Sequence, residues 1–409
     1  MTPLARLADL LALRRSMVGL LAVVVLVGMG EKLAERFLPL YIVALGGTAY
    51  AVGLLGALDN LLSALYSIPG GYLAERLGAK RALLVFNLLA MAGYVVVILV
   101  PTWTAVLVGA VLFLSWSAIS LPATMGLVAE VLPQSRRTMG VSMHSLVRRV
   151  PMALGPVIGG VLIDAFGTSR GVRLAFIGAL LMALVAVLLQ QALIRDTPRS
   201  VAPAKRVRLR DLASPWRVLG PDLRHLLYSD VLIRFCEQIP YAFVVLWCLE
   251  RIRQPVTAAQ FGLLTAIEMA TAVLVYIPVA YLADRGRKKP FVAVTFVFFT
   301  LFPLVLMLSQ SFWPLVAAFV VRGLKEFGDA TRKALILDLA PEDRKAVTFG
   351  VYYFLRDVVV SIAAFGGAWL WSIDPRVNLL TAAGFGAAGT LWFVLQGRDL
   401  PAGPQRSAA

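Results

Sequence analysis

Charged side chains occur inside the long apolar runs of this chain, and the run 313–339 carries the most of them. There Arg322, Glu326, Asp329 and Lys333 are spaced at i, i+4, i+7 and i+11, which places them on one face of a helix. Lys325 is also spaced to pair with Asp329 at i+4. A charge at the centre of a membrane helix costs about 2.5–3.5 kcal/mol, so these groups must face water or one another. The chemistry that they offer is ion pairing, proton transfer or the binding of a charged ligand.

The run 17–44 repeats this arrangement, with Glu31 and Glu35 on one face and Lys32 and Arg36 beside them. Charges in membrane helices usually mark a substrate or ion pathway. Structural ion pairs that hold helices together are the alternative, and for any single residue the two interpretations stay open. The residues expected to form a substrate and proton pathway are Glu31, Lys32, Glu35, Arg36, Asp59, Arg148, Glu268, Arg322, Lys325, Glu326, Asp329 and Arg356.

A protonatable carboxylate in such a pathway would couple proton movement to substrate movement. The candidates are Glu31, Glu35, Asp59, Glu268, Glu326 and Asp329. Glu31 and Glu326 lie nearest the midpoints of their runs. We expect the acids and bases of the two charged runs to face each other across a central cavity, with Glu31, Lys32 and Glu35 on one side and Lys325, Glu326 and Asp329 on the other.

Membrane-spanning helices are the elements that must position these charges. Hydrophobic residues make up 59% of the 409 residues and charged residues 15%, whereas soluble domains average roughly 45–50% and about 25%. A span needs about 20 apolar residues. Twelve spans are predicted, at about 17–44, 49–74, 82–100, 104–129, 138–163, 174–194, 226–249, 257–283, 291–308, 313–339, 347–372 and 377–396. Spans 3, 6, 9 and 12 carry no charge through their cores and are expected to face lipid.

Other classes of protein fit the composition poorly. The net charge of +16 would suggest nucleic acid as a partner in a soluble protein, but in a membrane protein the positive-inside rule accounts for it. Cys236 and Cys248 share one apolar run, so neither a disulfide framework nor a metal site is indicated. His144 and His225 are the only histidines, and no nucleophile motif appears. We therefore expect no enzyme, no catalytic residue, no metal and no cofactor.

Two copies of one pattern divide the chain into halves. The segment Gly71–Arg81 is followed much later by a similar segment at 281–289, and both end long apolar runs. A second pattern also recurs with its internal spacing kept: Glu130, Pro133, Arg136 and Arg137 return as Asp338, Pro341, Arg344 and Lys345. Duplicated membrane units of parallel orientation are a known plan of transporters. We predict two six-helix halves, 1–194 and 226–409, joined by a basic linker at 195–225.

The distribution of Lys and Arg predicts the orientation. If the N-terminus lies inside, most basic residues fall in inner segments, and only Arg170, Arg173, Arg251, Arg253 and Arg376 fall in outer loops. Both termini are then cytoplasmic, and the protein is expected in the cytoplasmic (inner) membrane. The basic stretch 205–210 of the linker is expected either to lie on the anionic inner leaflet or to be a solvated loop.

The segment 71–83 resembles the loop 2–3 signature of the major facilitator superfamily, G-x-L-a-D-r-x-G-r-k. Glu75 stands at the acidic position and Ala79 replaces one basic residue. The second copy resembles the loop 8–9 version of this signature. The resemblance covers the whole chain and implies that Glu75 braces the outward-open state. The inner gate is then expected to contain Glu75, Arg76, Lys80, Arg136, Asp284, Arg285 and Arg344.

The segment Gly155–Gly160 in span 5 resembles the end of the superfamily's antiporter motif, G-P-x-x-G-G. Ser142 and Pro151 stand where that motif has upstream glycines, and span 4 lacks the arginine that family members often carry. Close helix packing without antiport is an equal interpretation of the segment.

The function expected from these features is secondary active transport of a small molecule by alternating access. Proton coupling and efflux of amphipathic compounds are favoured. The alternatives are uptake or exchange of a small polar or anionic metabolite, and a transporter-like sensor without flux. The expected partners are the substrate, protons and the lipid bilayer, with no nucleic acid, and the protein is expected to be a monomer.

Overall fold

A computed structural model describes residues 15–114, 137–194, 219–283, 288–341 and 345–398, together with Trp116, Ser120, Thr124 and Leu127. Every regular element in these residues is a helix. The chain forms two compact units: Met1–Val201 with Val256–Ala266, and Ala202–Pro255 with Ile267–Ala409. The helix that begins at Ala258 therefore contributes its first residues to the first unit and the rest to the second.

The first half of the chain contains seven described helices. They are α1 (Arg15–Glu35), α2 (Leu38–Ala44), α3 (Ala49–Leu77), α4 (Ala79–Leu99), α5 (Trp103–Phe113), α6 (Arg137–Phe166) and α7 (Thr168–Leu193). Within this unit α1 packs against α6 and α7, and α4 packs against α5 and α7.

The rest of the described chain continues with shorter and longer helices. They are α8 (Pro221–Tyr241), α9 (Val244–Leu246) with a π-helical turn (Trp247–Arg251), α10 (Ala258–Ala283), α11 (Lys288–Leu308), α12 (Phe312–Leu324), α13 (Asp329–Leu339), α14 (Lys345–Ile373) and α15 (Pro375–Gln396). Here α8 packs against α14 and α15, and α11 packs against α12 and α15.

Within the described residues, eight helices are long and apolar enough to cross a membrane, or nine if the bent pair formed by α8 and Val244–Arg251 is one span. Three shorter apolar helices, Ala49–Ser63, Trp103–Phe113 and Phe312–Leu324, fall where spans 2, 4 and 10 are predicted. The four helices of predicted spans 3, 6, 9 and 12 each expose aliphatic side chains, for example Leu89, Leu181, Leu301 and Leu395. An exposed aliphatic surface of this kind is what a lipid-facing helix needs.

The prediction of one continuous helix over 313–339 is wrong. The chain breaks between α12 and α13, so Arg322 and Asp329 lie on different helices and do not share one helical face. The backbone N–H of Gly328 donates to Thr295 Oγ1 at 2.5 Å, and the N–H of Phe327 donates to the carbonyl of Leu324. These bonds replace the regular i to i−4 ladder, which explains the break.

Predicted spans 1 and 7 are also interrupted. In span 1 the break falls between α1 and α2, and a proline at the first turn of α2 favours a new helix start there because it has no N–H to satisfy. In span 7 the axis bends by 46° after Pro240. The first span of each half is therefore broken near the end that is expected to be outside.

A buried chain of hydrogen bonds ties α4 to α7 in the first unit. Trp116 Nε1 donates to Asn87 Oδ1 at 2.7 Å, and Asn87 Nδ2 donates to Gln190 Oε1 at 2.9 Å. Gln190 Nε2 donates in turn to the carbonyl of Lys80 at 2.7 Å. Asn87 and Gln190 are both fully buried, and these bonds satisfy the polar groups that would otherwise be costly among apolar helices.

Candidate functional site

Lys32 lies at the centre of a cluster of charges near the C-terminal end of α1. Its Nζ is 3.1 Å from Glu31 Oε1 and also forms an ion pair with Glu35. Glu31 is buried, with 5% of its surface exposed. The neighbouring candidates Arg36, Asp59 and Arg148 are half-buried, and they extend this cluster onto α3 and α6. The structure thus gathers the acids and bases of the first charged run into one polar site within the first unit.

The glycine-rich segment of α6 packs against α1 beside Lys32. A Cβ on Gly155 would lie 2.7 Å from Lys32 Cβ, and a Cβ on Gly159 would meet the carbonyl oxygen of Leu33. A Cβ on Gly160 would meet the carbonyl oxygen of Ala258 on α10. The missing side chains therefore permit a close backbone approach at three positions. These contacts support close helix packing, which is one of the two interpretations of this segment.

In the second unit, two acids and two bases form a buried group that we call the Lys325 pocket: Glu237, Glu268, Arg322 and Lys325. Lys325 Nζ is 2.7 Å from Glu237 Oε1 and 3.7 Å from Glu268 Oε1. Arg322 Nε is 3.3 Å from the same oxygen of Glu268. Each of the four side chains has no more than 11% of its surface exposed. Charges this deeply buried are stable only when paired.

Aromatic rings form the walls of the Lys325 pocket. The Arg322 guanidinium lies 5.5 Å from the ring of Tyr241, 5.0 Å from Phe302 and 5.7 Å from Phe319. Lys325 Nζ lies 5.7 Å from the ring of Phe299. A small cavity opens among these groups, with room for about one water molecule. A larger ligand would therefore have to separate the paired ions.

A second buried group of charges connects α8, α13 and α14, and we call it the Asp230 cluster: Asp230, Asp329, Arg332 and Arg356. Asp230 is fully buried and pairs with Arg332, while Arg356 Nη1 lies 3.6 Å from its other oxygen. Arg332 Nη2 also reaches Asp329 Oδ1 at 2.7 Å. The hydroxyl of Tyr352 donates to Asp230 Oδ2 at 3.1 Å. This network joins three helices through shared carboxylates.

The expected pairing of Lys325 with Asp329 in the run 313–339 needs correction. Lys325 does not pair with Asp329, because the helix break separates them and Lys325 turns to Glu237 instead. Asp329 pairs with Arg332 and with Lys333, whose Nζ is 2.7 Å away. Glu326 lies half-buried within the break itself. Arg322 and Lys325 thus belong to the Lys325 pocket, whereas Asp329 and Arg332 belong to the Asp230 cluster.

Sequence reasoning left Asp230 and Glu237 out of the candidate pathway. With Arg234 they are spaced at i, i+4 and i+7 along α8, and Arg234 Nη1 lies 2.5 Å from Glu237 Oε2. The same spacing argument that singled out run 313–339 could have found this face. Arg332 was missed because it lies one position before Lys333 and outside the presumed continuous face.

The expected inner-gate residues are only partly described. Glu75 and Arg76 lie in the last turns of α3, and Arg76 is exposed. Lys80, near the start of α4, donates to the carbonyl of Gln191 at 3.2 Å. Arg136, Asp284, Arg285 and Arg344 lie outside the described residues. At the C-terminal end of α13, Asp338 forms an ion pair with Lys288. The gate assignment stays a prediction.

The described clusters consist of paired charges. Their members are carboxylates, ammonium groups and guanidinium groups that neutralise one another inside apolar helices. Such a pair can give up an internal partner for a substrate group or a proton, and the gain or loss of a partner changes which conformation is favoured. Ionisable residues inside membrane helices commonly mark substrate or ion pathways.

Solved structures share this fold. A peptide transporter POT in complex with sulfate aligns with a TM-score of 0.75 over 93% of each chain at 15% identity. A bacterial homolog of the human lysosomal transporter Spinster aligns with a TM-score of 0.68 over 93% of this chain and 97% of that one, at 14% identity. At these identities the likeness concerns the fold.

Relatives at the sequence level include a transporter and a quinolone resistance protein. An uncharacterized MFS-type transporter of Methanocaldococcus jannaschii is 20% identical over 86% of this chain and 87% of its own length. The quinolone resistance protein NorA of Staphylococcus aureus is 27% identical, but over only 43% of this chain and 44% of its own length. The Major Facilitator Superfamily model matches residues 20–255 and 231–409. With its charged helices and its all-helical fold, the chain therefore belongs to the Major Facilitator Superfamily, whose members are multi-pass membrane transporters of small molecules.

Proposed function

We propose that this protein exports amphipathic compounds by alternating access, coupled to proton movement. It would act as a monomer in the inner membrane, with both termini in the cytoplasm. The observation that carries the proposal is the Lys325 pocket, where two cations and one carboxylate line a small cavity beside three aromatic rings. Rings can hold the apolar part of a ligand and the ions its polar part.

Alternating access would explain why the buried ions of the Lys325 pocket are paired. In an empty transporter the buried charges must be compensated internally, and Lys325 and Glu237 compensate each other at 2.7 Å. A ligand or a proton that replaces one partner stabilises a different conformation by its differential binding. Six carboxylates remain candidates for the proton step: Glu31, Glu35, Asp59, Glu268, Glu326 and Asp329.

Export is supported by the partial similarity to a quinolone resistance protein, because export lowers the concentration of a compound inside a cell. The second candidate function is uptake or exchange of a small polar or anionic metabolite. The excess of cations over carboxylates around the cavity favours it. A sensor that binds a ligand without moving it is the third candidate.

Reconstitution into proteoliposomes tests the three candidates together. The lumen is loaded at one pH, the outside is set at another, and the accumulation of fluorescent amphipathic compounds is followed over time. Protein-free liposomes and a protonophore that collapses the gradient are the controls. Accumulation that requires both protein and gradient is the expected result.

Other outcomes select among the alternatives. Accumulation that persists after the protonophore would exclude proton coupling. Transport confined to small polar anions would favour the metabolite function. Saturable binding with no flux in either direction would identify a sensor.

A further inference from the structure

We infer that Lys325 recognises an anionic group on the transported compound, so that the substrate is an amphipathic anion with an aromatic or planar apolar body. The inference rests on the proposed function of the Lys325 pocket and specifies the substrate class of that site. Its basis is the way in which the cations and carboxylates around the cavity are paired.

Lys325 can leave its present position while both carboxylates stay paired. Glu237 keeps Arg234, whose Nη1 lies 2.5 Å from Glu237 Oε2. Glu268 keeps Arg322, whose Nε lies 3.3 Å from Glu268 Oε1. Breaking a buried pair is strongly destabilising when it leaves a charge uncompensated. A substrate anion can therefore draw Lys325 away without leaving either acid alone.

Arg322 is held in place more firmly than Lys325. Its guanidinium is surrounded by the rings of Tyr241, Phe302 and Phe319 at 5.0–5.7 Å, and its side chain is 3% exposed. A cation over aromatic faces gains from each ring when it is desolvated. Arg322 thus acts as a fixed partner of Glu268.

Lys325 has the freedom that Arg322 lacks. It follows directly after α12, at the start of the non-helical segment that precedes α13, so its backbone is not fixed within a continuous helix. Its side chain is a point charge on a flexible stem and has 11% of its surface exposed. Of the two cations that line the cavity, Lys325 is therefore the one that can turn towards a ligand.

The charges around the cavity also discriminate against cations. Glu237 already has two cationic partners, Arg234 and Lys325. A cationic ligand would have to displace one of them while facing Arg322 and Lys325 at close range, and like charges disfavour this. A neutral ligand has no negative charge that could replace Glu237 as the partner of Lys325. The ion pair between Lys325 and Glu237 would therefore stay intact. A carboxylate offers Lys325 an equivalent partner, and Phe299, 5.7 Å from Lys325 Nζ, lies where the apolar body would begin.

A matched panel of ligands tests this inference on the purified full-length protein. The panel contains aryl carboxylates of one to three rings, including 2-naphthoate, with the corresponding aryl amines and aryl alcohols. Binding is measured by calorimetry and by the increase in melting temperature at ligand concentrations up to about 1 mM, which detects affinities as weak as that concentration. We expect one or more carboxylates to bind and the matched amines and alcohols to bind at least about 10-fold more weakly, which corresponds to about 1.4 kcal/mol.

Substitutions assign the preference to Lys325. Lys325→Gln should lose the preference for carboxylates, whereas Lys325→Arg, which keeps the charge, should retain it. Lys333→Gln is the control, because Lys333 is a half-exposed lysine on α13 outside the cavity lining. Unchanged carboxylate binding in Lys325→Gln, preferential binding of the amines, or no carboxylate bound by the wild type would each overturn the inference.

Failure of this inference is distinguishable from failure of the proposed function. If proteoliposomes transport an aryl amine or alcohol and Lys325→Gln does not affect this flux, transport stands and the anion assignment falls. If carboxylate binding depends on Lys325 but no flux occurs, the site assignment stands and transport falls.

Discussion

Asp164 accepts hydrogen bonds from two consecutive backbone N–H groups at the start of α10, those of Ala258 and Ala259, both at 2.9 Å. The next donor, the N–H of Gln260, is satisfied by Thr257 Oγ1, and Gln260 Oε1 accepts from the N–H of Thr257. This capping box and Asp164 together satisfy the first orphan donors of the helix. A carboxylate at a helix N-terminus also interacts favourably with the helix dipole. Asp164 therefore fixes the start of α10 to the C-terminal end of α6.

Replacing Asp164 with Ala should release the start of α10. Loss of a capping carboxylate typically costs about 0.5–2 kcal/mol, and backbone amide exchange at 257–261 should quicken accordingly. Hydrogen–deuterium exchange followed by mass spectrometry measures this directly. Arg170→Ala, at an exposed position on α7, is the control and should leave the exchange at 257–261 unchanged. Equal exchange in wild type and Asp164→Ala would show that the capping box alone holds the helix end.

The Asp230 cluster should be structural in its energetics. Asp230→Asn would leave Arg332 with Asp329 and Arg356 with Asp357, and it would remove the fully buried carboxylate that the two arginines share. We expect a loss of about 3–5 kcal/mol in stability. Asp338→Asn removes a more exposed carboxylate that pairs with the single lysine Lys288, and should cost no more than about 1 kcal/mol. Denaturation of the two purified variants in the same detergent compares them. A small effect of Asp230→Asn would instead favour a direct role for this acid in transport.

Gly159→Ala tests whether the glycine-rich segment of α6 is a packing surface. The added Cβ would collide with the carbonyl oxygen of Leu33 on α1, so that the two helices must separate. The matched control is Gly366→Ala on α14, where an added Cβ meets nothing within 4 Å. We expect the yield of folded protein and its melting temperature to fall for Gly159→Ala only. If both variants are equally stable and Gly159→Ala instead loses transport, the segment serves the transport cycle directly.

Glu326→Gln should separate proton coupling from stability. Glu326 lies in the break between α12 and α13, and we predict that its substitution preserves the melting temperature while abolishing the dependence of transport on pH. Glu268→Gln is the comparison, because Glu268 pairs with Arg322 and its loss should lower stability. Transport by each variant is measured over a range of pH in proteoliposomes. Retained pH dependence in Glu326→Gln would remove this residue from the list of coupling groups.

The apolar runs were sufficient to locate the helices, because burying about 20 residues in a bilayer leaves few alternatives. They could not predict the breaks. The break after α12 depends on a hydrogen bond from Gly328 to Thr295, which is far away in the sequence. Periodicity therefore predicted a continuous charged face where the chain forms two helices.

The sequence also could not predict which charged residues pair between helices. Lys325 had a plausible partner four residues away, yet its ammonium group lies beside Glu237 on another helix. Spacing shows which residues share a face of one helix, but contact between helices depends on how those faces pack. Only the local part of the candidate site, such as Lys32 with Glu31 and Glu35, follows from spacing alone.

The buried bond from Asn87 to Gln190 has a consequence for biogenesis. Spans enter the bilayer in chain order, so the amide of Asn87 arrives long before the residue that will accept its hydrogen bond. Until α7 is inserted and packed against α4, the side-chain N–H of Asn87 lacks its native hydrogen-bond acceptor among the lipid tails. This cost disfavours any arrangement in which α4 and α7 remain apart. A helix pair that docks out of register would leave the Asn87 and Gln190 amides unmatched. The Asn87–Gln190 bond therefore favours the native pairing of α4 with α7 over other helix arrangements once α7 has been synthesised.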